Sequence, residues 1–229
     1  FNNCGCVVQI KQGQYKGDPV VGPEYETMWS FGANIGNTDL GFIIAANKLC
    51  DDYGVDTISA GVSVAFAMEL YERGILTQGD LDGIALTWGN HRAAYQLLQK
   101  IVTRQGIGEL LSLGTKRAAE KIGGGAYYYA MQVKGLEFPG YEPRGSWGMG
   151  LAYATSDRGA CHMRAWPVAM EAYGDLDPFT VEGKAQLVMD MQNSNAVKFS
   201  LILCDFWATS EAYMAEILNL ITGESYTEE

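Results

Sequence analysis

The chain has 229 residues, with 27 acidic against 16 basic side chains and a net charge of −11. Its length suits one large domain or two smaller ones with a buried core. The 48% apolar and 19% charged composition excludes a disordered chain. An acidic balance without a basic block argues against nucleic acid or anionic lipid as a partner. No apolar run approaches the roughly 18 residues of a membrane span. No leader-like stretch opens the sequence, and a cytoplasmic location is expected.

Five cysteines, Cys4, Cys6, Cys50, Cys161 and Cys204, are an odd number without a disulfide framework, which fits a reducing compartment. Cys50 and Cys161 read as small core hydrophobes. Cys4 and Cys6, one residue apart, suit metal or cluster ligation better than a mutual disulfide. Only His91 and His162 supply imidazole, so a histidine-rich metal site is excluded.

In chain order, the first 38 residues read as loop, broken by Gly13, Gly17, Pro19, Gly22 and Pro23. Thr38 is expected to cap a central, buried helix over 39–53 that stops at Gly54. Further helices are expected over 59–73, over 91–105 with Leu97, Leu98 and Ile101 on one face, and over 107–122. The triple glycine 123–125 ends the last of these. Between 126 and 158 the helical period vanishes, and a short extended piece is expected near 131–138. Helices return over 181–192 and 210–222, followed by an acidic tail. The reading is mainly α, with long irregular segments of the kind that carry function.

Several residues stand out against this background. Asp51 and Asp52 oppose the dipole at a helix C-terminus, and Asp51 with Asp56 brackets the Gly54 turn. Such carboxylates suit a donor-rich fused heterocycle, although a water-facing role fits at least one of the 51–52 pair. Glu24 lies in Gly22-Pro-Glu-Tyr-Glu26, where a plain surface acid is the ordinary expectation. His162 sits between Arg158 and Arg164, two cations that favour a neutral imidazole and suit contact with an anion or polarised carbonyl. Cys204 lies in an apolar run that also suits a core thiol. Tyr127 to Tyr129, Trp147 and Trp166 suit either core packing or a substrate channel.

These segments together resemble the aldehyde:ferredoxin oxidoreductase family of tungsten-pterin enzymes. The resemblance runs through Gly22-Pro-Glu-Tyr-Glu-Thr27, Asn47-Lys-Leu-Cys-Asp-Asp-Tyr-Gly-Val-Asp-Thr-Ile-Ser59 and Trp88-Gly-Asn90. It continues in Val133-Lys-Gly-Leu-Glu137, Tyr141-Glu-Pro-Arg-Gly145, Gly150-Leu-Ala-Tyr-Ala-Thr-Ser156 and Arg158-Gly-Ala-Cys-His162. It implies the two helical domains that cover a tungstopterin site, without the N-terminal β-rich base domain. Residues 1–125 correspond to the second domain, opening inside the cluster motif, and 126–229 to part of the third. The chain is therefore expected to be a fragment or partial subunit, completed by the rest of the same enzyme.

The resemblance implies a bis-pterin tungsten centre, or molybdenum in some relatives, and a [4Fe–4S] cluster passing electrons to ferredoxin or a partner Fe–S subunit in an oligomeric assembly. It makes Glu24 the base and His162 the donor to a substrate carbonyl or metal oxo group. Asp51, Val55, Asp56, Arg158, Arg164 and Leu203 become cofactor contacts. Cys4, Cys6 and Cys204 become cluster ligands, three where such a cluster takes four thiolates. The expected reaction oxidises aldehydes to carboxylic acids. The alternatives are the tungsten subunit of a benzoyl-CoA reductase complex and a non-catalytic electron-transfer or interaction module. Phe199 and Ile202 depart from the family's Asp-x-x-Gly-Leu-Cys pattern, where aspartate and glycine are usual.

Overall fold

The computed structural model describes residues 5–174, 176–207 and 209–228; Cys4 lies outside them. Packing divides the chain into two compact units, one running through Gly140 and the other beginning at Tyr141. Residues 126–140 therefore pack with the first unit.

The first unit opens on a short antiparallel hairpin, β1 (Val7–Val8) and β2 (Val20–Val21), with Val7 opposite Val21. The helices α1 (Tyr25–Phe31), α2 (Leu40–Tyr53), α3 (Thr57–Glu72), α4 (His91–Thr103), α5 (Ile107–Leu111) and α6 (Thr115–Ile122) follow. Asp39, not Thr38, caps α2: its Oδ1 accepts from Phe42 N at 2.8 Å. Gly54 closes that helix in the left-handed conformation, at φ 66°. Asp56 caps α3 through Ser59 N at 2.7 Å, which starts the helix two residues before the expected Ser59. It is α3 rather than α2 that lies deepest, with an unbroken buried run from Ala60 to Met68.

Close approach explains one glycine in particular. A Cβ on Gly61 of α3 would stand 2.6 Å from Ser30 Cβ of α1, so only glycine permits that crossing. Phe31, Phe42, Val64, Met68, Leu70, Leu97 and Leu98 fill the core beneath. Each fully buried leucine or phenylalanine contributes about 1.5–3 kcal/mol.

The expected helix over 107–122 is two helices. Glu137, 3% exposed, projects its carboxylate onto Thr115, accepting from N at 2.7 Å and Oγ1 at 3.0 Å. Its second oxygen accepts from Ser59 Oγ of α3 at 2.8 Å. Gly114, at φ 84°, breaks the chain there, and a Cβ on it would meet Glu137 Oε1 at 2.9 Å. The extended piece is a hairpin, β3 (Gln132–Val133) and β4 (Leu136–Glu137). Its turn residues Lys134 and Gly135 both have positive φ, the condition for the mirror-image turn that matches strand twist.

The second unit holds α7 (Trp147–Thr155), α8 (Val168–Ala172), α9 (Lys184–Ser200) and α10 (Glu211–Thr222). Helix α7 falls where the sequence reads as irregular, because its start is fixed by distant groups. Ser146 caps Met149 N, and the buried Glu171 of α8 accepts from Gly148 N at 2.9 Å. Glu171 also receives Ser146 Oγ and ion-pairs with the buried Lys184, whose Nζ donates on to Asp177 O at 2.7 Å. Such a pair persists in low dielectric because further hydrogen bonds accompany the ion pair on both partners. Helix α9 begins three residues after the expected Val181 and runs eight beyond Gln192. Asn195, which reads as loop, donates to Met163 O at 2.9 Å. Ala152, Ala165 and Val188 form one core cluster of this unit, and Met149, Tyr153 and Met214 are also buried. Among the described residues no helix is long and apolar enough to cross a membrane.

Candidate functional site

The predicted site residues divide between the two units: Glu24, Asp51, Val55, Asp56 and Cys6 in the first, Arg158, His162, Arg164, Leu203 and Cys204 in the second.

In the first unit a small scaffold joins thiol, turn and carboxylates. Gly22 N donates to Cys6 O at 2.9 Å, and Cys6 Sγ lies 3.7 Å from Gly22 O. The exposed Cys6 thiol is thereby fixed against the turn that precedes Glu24. Glu24 is the N-cap of α1 by backbone, since its carbonyl accepts from Met28 N at 2.9 Å, but its exposed carboxylate makes no cap hydrogen bond. Asn47, buried on α2, donates through Nδ2 to Val21 O at 2.9 Å and to Asp51 Oδ2 at 3.1 Å. The Asp51 carboxylate is thus aimed by a group tied to the hairpin. Asp52 faces water in an ion pair with Lys48, Nζ to both oxygens at 2.8 Å. Asp56 spends one oxygen on its cap, and Val55 is half-buried between the two aspartates' turns.

In the second unit His162 is half-buried beside Tyr141, ring centroids 5.6 Å apart, and Tyr141 meets Trp166 edge-on at 5.8 Å. Arg164 is clasped by Asp157, Nε to Oδ1 at 2.7 Å and Nη2 to Oδ2 at 3.2 Å. Its charge is therefore balanced, and of the two flanking cations only Arg158 stands exposed without an ion-pair partner among the described residues. Asp157 and Arg164 line an open cavity of about 510 Å³ together with Gln192 and Phe199. Leu203 and Cys204 follow α9 in a tight turn: Leu203 N donates to Lys198 O at 3.1 Å, and Cys204 O accepts from Trp207 N at 3.1 Å. Ile202, 92% exposed, adopts the left-handed φ of 57°.

The aromatic residues do not form a buried core. Tyr128 is 81% exposed, Tyr129 carries Arg73 over its ring at 5.5 Å, and Trp147 meets Phe179 edge-on. Cys50 and Cys161 are buried, and burial pushes the Cys50 thiol up to about 12.

The model of the family "Aldehyde ferredoxin oxidoreductase, domains 2 & 3" matches residues 2–229. The chain belongs to this family. It is 43% identical, over 81% of its length, to a tungsten-containing aldehyde ferredoxin oxidoreductase of Pyrococcus horikoshii, covering 31% of that protein. It is 40% identical over 91% of its length to the enzyme of the same description from Pyrococcus furiosus, covering 35% of it. Among solved structures it resembles the active site complex BamBC of benzoyl coenzyme A reductase with bound 1,5-dienoyl-CoA. That likeness has a TM-score of 0.58 and 25% identity over 82% of this chain and 29% of the other. The chain thus spans about a third of the length of the relatives it matches, and its mainly helical fold is the one expected of the family's second and third domains.

The donor chemistry fits the family's cofactors in part. Asp51 and Asp56 each keep one carboxylate oxygen that accepts no hydrogen bond among the described residues, as recognition of ring N–H groups requires. For a cluster, Cys6 and Cys204 are free and not buried, but among the described residues no three His, Cys, Asp or Glu side chains converge to hold a metal ion.

Three residues that matter to this arrangement escape a reading by local pattern. Asn47 signals itself as an amide inside an apolar helix, four residues before an aspartate, since a buried amide must find partners. Glu137 and Asp157 gave no local signal, because Glu137 binds groups 22 and 78 residues away and Asp157 looks like any surface acid.

Proposed function

We propose that this chain is part of a tungsten- or molybdenum-pterin oxidoreductase that converts an aldehyde and water to a carboxylic acid, two protons and two electrons. What carries the reading is the match to tungsten-containing aldehyde ferredoxin oxidoreductases over most of the chain. The bound tungstopterin would supply the two-electron chemistry and a [4Fe–4S] cluster the onward single-electron transfer, to ferredoxin or a partner Fe–S subunit.

The protein's part is position and protonation. Glu24 takes a proton from the attacking water, its carboxylate being free of capping duty. His162, set against Tyr141, donates to the substrate carbonyl. Asp51, oriented by Asn47, and Asp56, fixed as a helix cap, accept from pterin ring N–H groups, with Val55 between them. Within the second unit, Arg158, Arg164 and Leu203 are the proposed cofactor contacts. Cys4, which lies outside the described residues, Cys6 and Cys204 supply thiolates to the cluster. The base domain and remaining ligands come from the rest of the enzyme, in an oligomer that spans no membrane and resides in the cytoplasm.

A second reading is favoured by the likeness to the benzoyl coenzyme A reductase complex. There the same centre would deliver electrons to an aromatic acyl thioester. Viologen-coupled turnover of the purified full-length protein decides between them. Aldehyde-dependent dye reduction with stoichiometric tungsten or molybdenum is the expected result. Activity confined to aromatic acyl-CoA esters establishes the second reading. A protein without either metal overturns both and leaves an electron-transfer or interaction module.

A further inference from the structure

The first unit carries an open cavity of about 520 Å³ that involves none of the residues assigned above. It lies between the loop after β1, helix α2 and helix α4. Its wall is aromatic: Tyr15 and Tyr95 meet edge-on with centroids 5.3 Å apart. The Tyr15 ring is held by its hydroxyl, 3.0 Å from His91 Nδ1, and by an edge contact with Phe42 at a centroid distance of 6.2 Å. Ile44 and Leu49 extend the apolar floor along α2.

The charges at the rim do not cancel. Lys48 and Asp52, both lining the cavity, neutralise each other in a two-point ion pair. Lys16 and Arg92 also line it, and neither has an ion-pair partner among the described residues; Asp18 is the remaining acid. Among the lining residues this leaves one positive charge in excess, on a chain whose overall charge is −11; Asp39, which acts on Tyr15 from outside the lining, lies 3.8 Å from His91. Arg92 stands in the first turn of α4, which contains no acidic residue to offset it. A cavity of this size with an apolar wall and a few convergent polar groups is the usual form of a small-molecule site.

We propose that this cavity binds a small organic monocarboxylate with an apolar body, the body seated on Tyr15, Tyr95 and Leu49 and the carboxylate held by Arg92 and Lys16. Guanidinium and carboxylate match as a fork, so Arg92 provides the directional contact and Lys16 the second charge. This assignment is independent of the tungsten reading, because it uses no residue of that site.

Titration of benzoate into the full-length protein by calorimetry tests it, with benzyl alcohol as the neutral probe of equal shape. Saturable benzoate binding is expected, weakened about tenfold or more by Arg92→Gln and by Lys16→Gln, consistent with loss of a charged hydrogen bond. Benzyl alcohol is expected to bind at least about tenfold more weakly than benzoate. Glu24→Gln should leave benzoate affinity unchanged. Unfolding midpoints equal to the parent's show that the variants remain folded. Absence of saturable binding, indifference to both rim substitutions, or loss of binding in Glu24→Gln would overturn the proposal, the last by seating benzoate at the catalytic site instead.

Discussion

Arg164 grips Asp157 with two nitrogens, and that grip consumes the cation which the sequence would otherwise set beside His162. Hydrogen bonding from Arg164 holds the Asp157 carboxyl below its ordinary value of 3.8. A carboxyl depressed in the folded state adds stability that is present above its unfolded pKa and is lost as pH falls through the folded one. Unfolding measured as a function of pH should therefore separate the parent from Asp157→Asn by a constant amount above about pH 5. The gap should close as the solution is acidified below the ordinary carboxylate range. A gap that widens on acidification would contradict the assignment.

Glu137 joins α3, α6 and the β3–β4 hairpin through a single buried carboxylate. Glu137→Ala leaves the Thr115 N–H and two hydroxyls without their acceptor and should cost about 2–4 kcal/mol, read from urea midpoints. Glu137→Gln should cost less, since one oxygen remains to accept.

Ile202 occupies left-handed backbone although it is β-branched, and its side chain is almost wholly exposed. Replacement by asparagine keeps the unfolded chain's entropy close to the parent's and relieves that conformation. Ile202→Asn should raise stability by about 1 kcal/mol, seen as a higher thermal midpoint. A lower midpoint would mean that the isoleucine makes contacts which outweigh its backbone.

The thiols should separate by reactivity. With its pKa pushed up to about 12 by burial, Cys50 has negligible thiolate at pH 8 and no solvent access. In protein freed of its cluster, iodoacetamide followed by peptide mass analysis should label Cys6 and Cys204 first and reach Cys50 only on unfolding.

For the proposed chemistry, Glu24→Gln and His162→Asn in the full-length protein should each lower aldehyde turnover by roughly 10²–10⁴-fold. Tungsten or molybdenum content should stay at the parent's level. Unchanged turnover in both variants would remove these two residues from the mechanism.

What was legible in the sequence is what local physics dictates. Leu97, Leu98 and Ile101 on one stripe declare α4, and Gly54 and Gly223 declare helix ends, because periodicity and left-handed caps are written within a few residues. Thr38 and Asp39 are both capping types, aspartate the stronger, and Asp39 takes the role with its own N–H donating to Asn37 Oδ1. Helix α7 and the break at Gly114 were illegible, since buried glutamates distant in sequence fix both. Among the candidate site residues, Asp51 and Asp56 stood out by type and spacing, whereas Glu24 read as an ordinary surface acid. The Asp157 clasp did not, because nothing near residue 157 reveals which arginine it holds. Family resemblance supplied the remaining roles, which no periodicity encodes.

Asn47 binds the exit of β2 with the same amide nitrogen that steers Asp51. One hinge pin therefore serves both parts: the strand pair carrying Cys6 and the carboxylate one helical turn away cannot drift independently. Replacing this amide would release the turn beside the sulfur and the acid together.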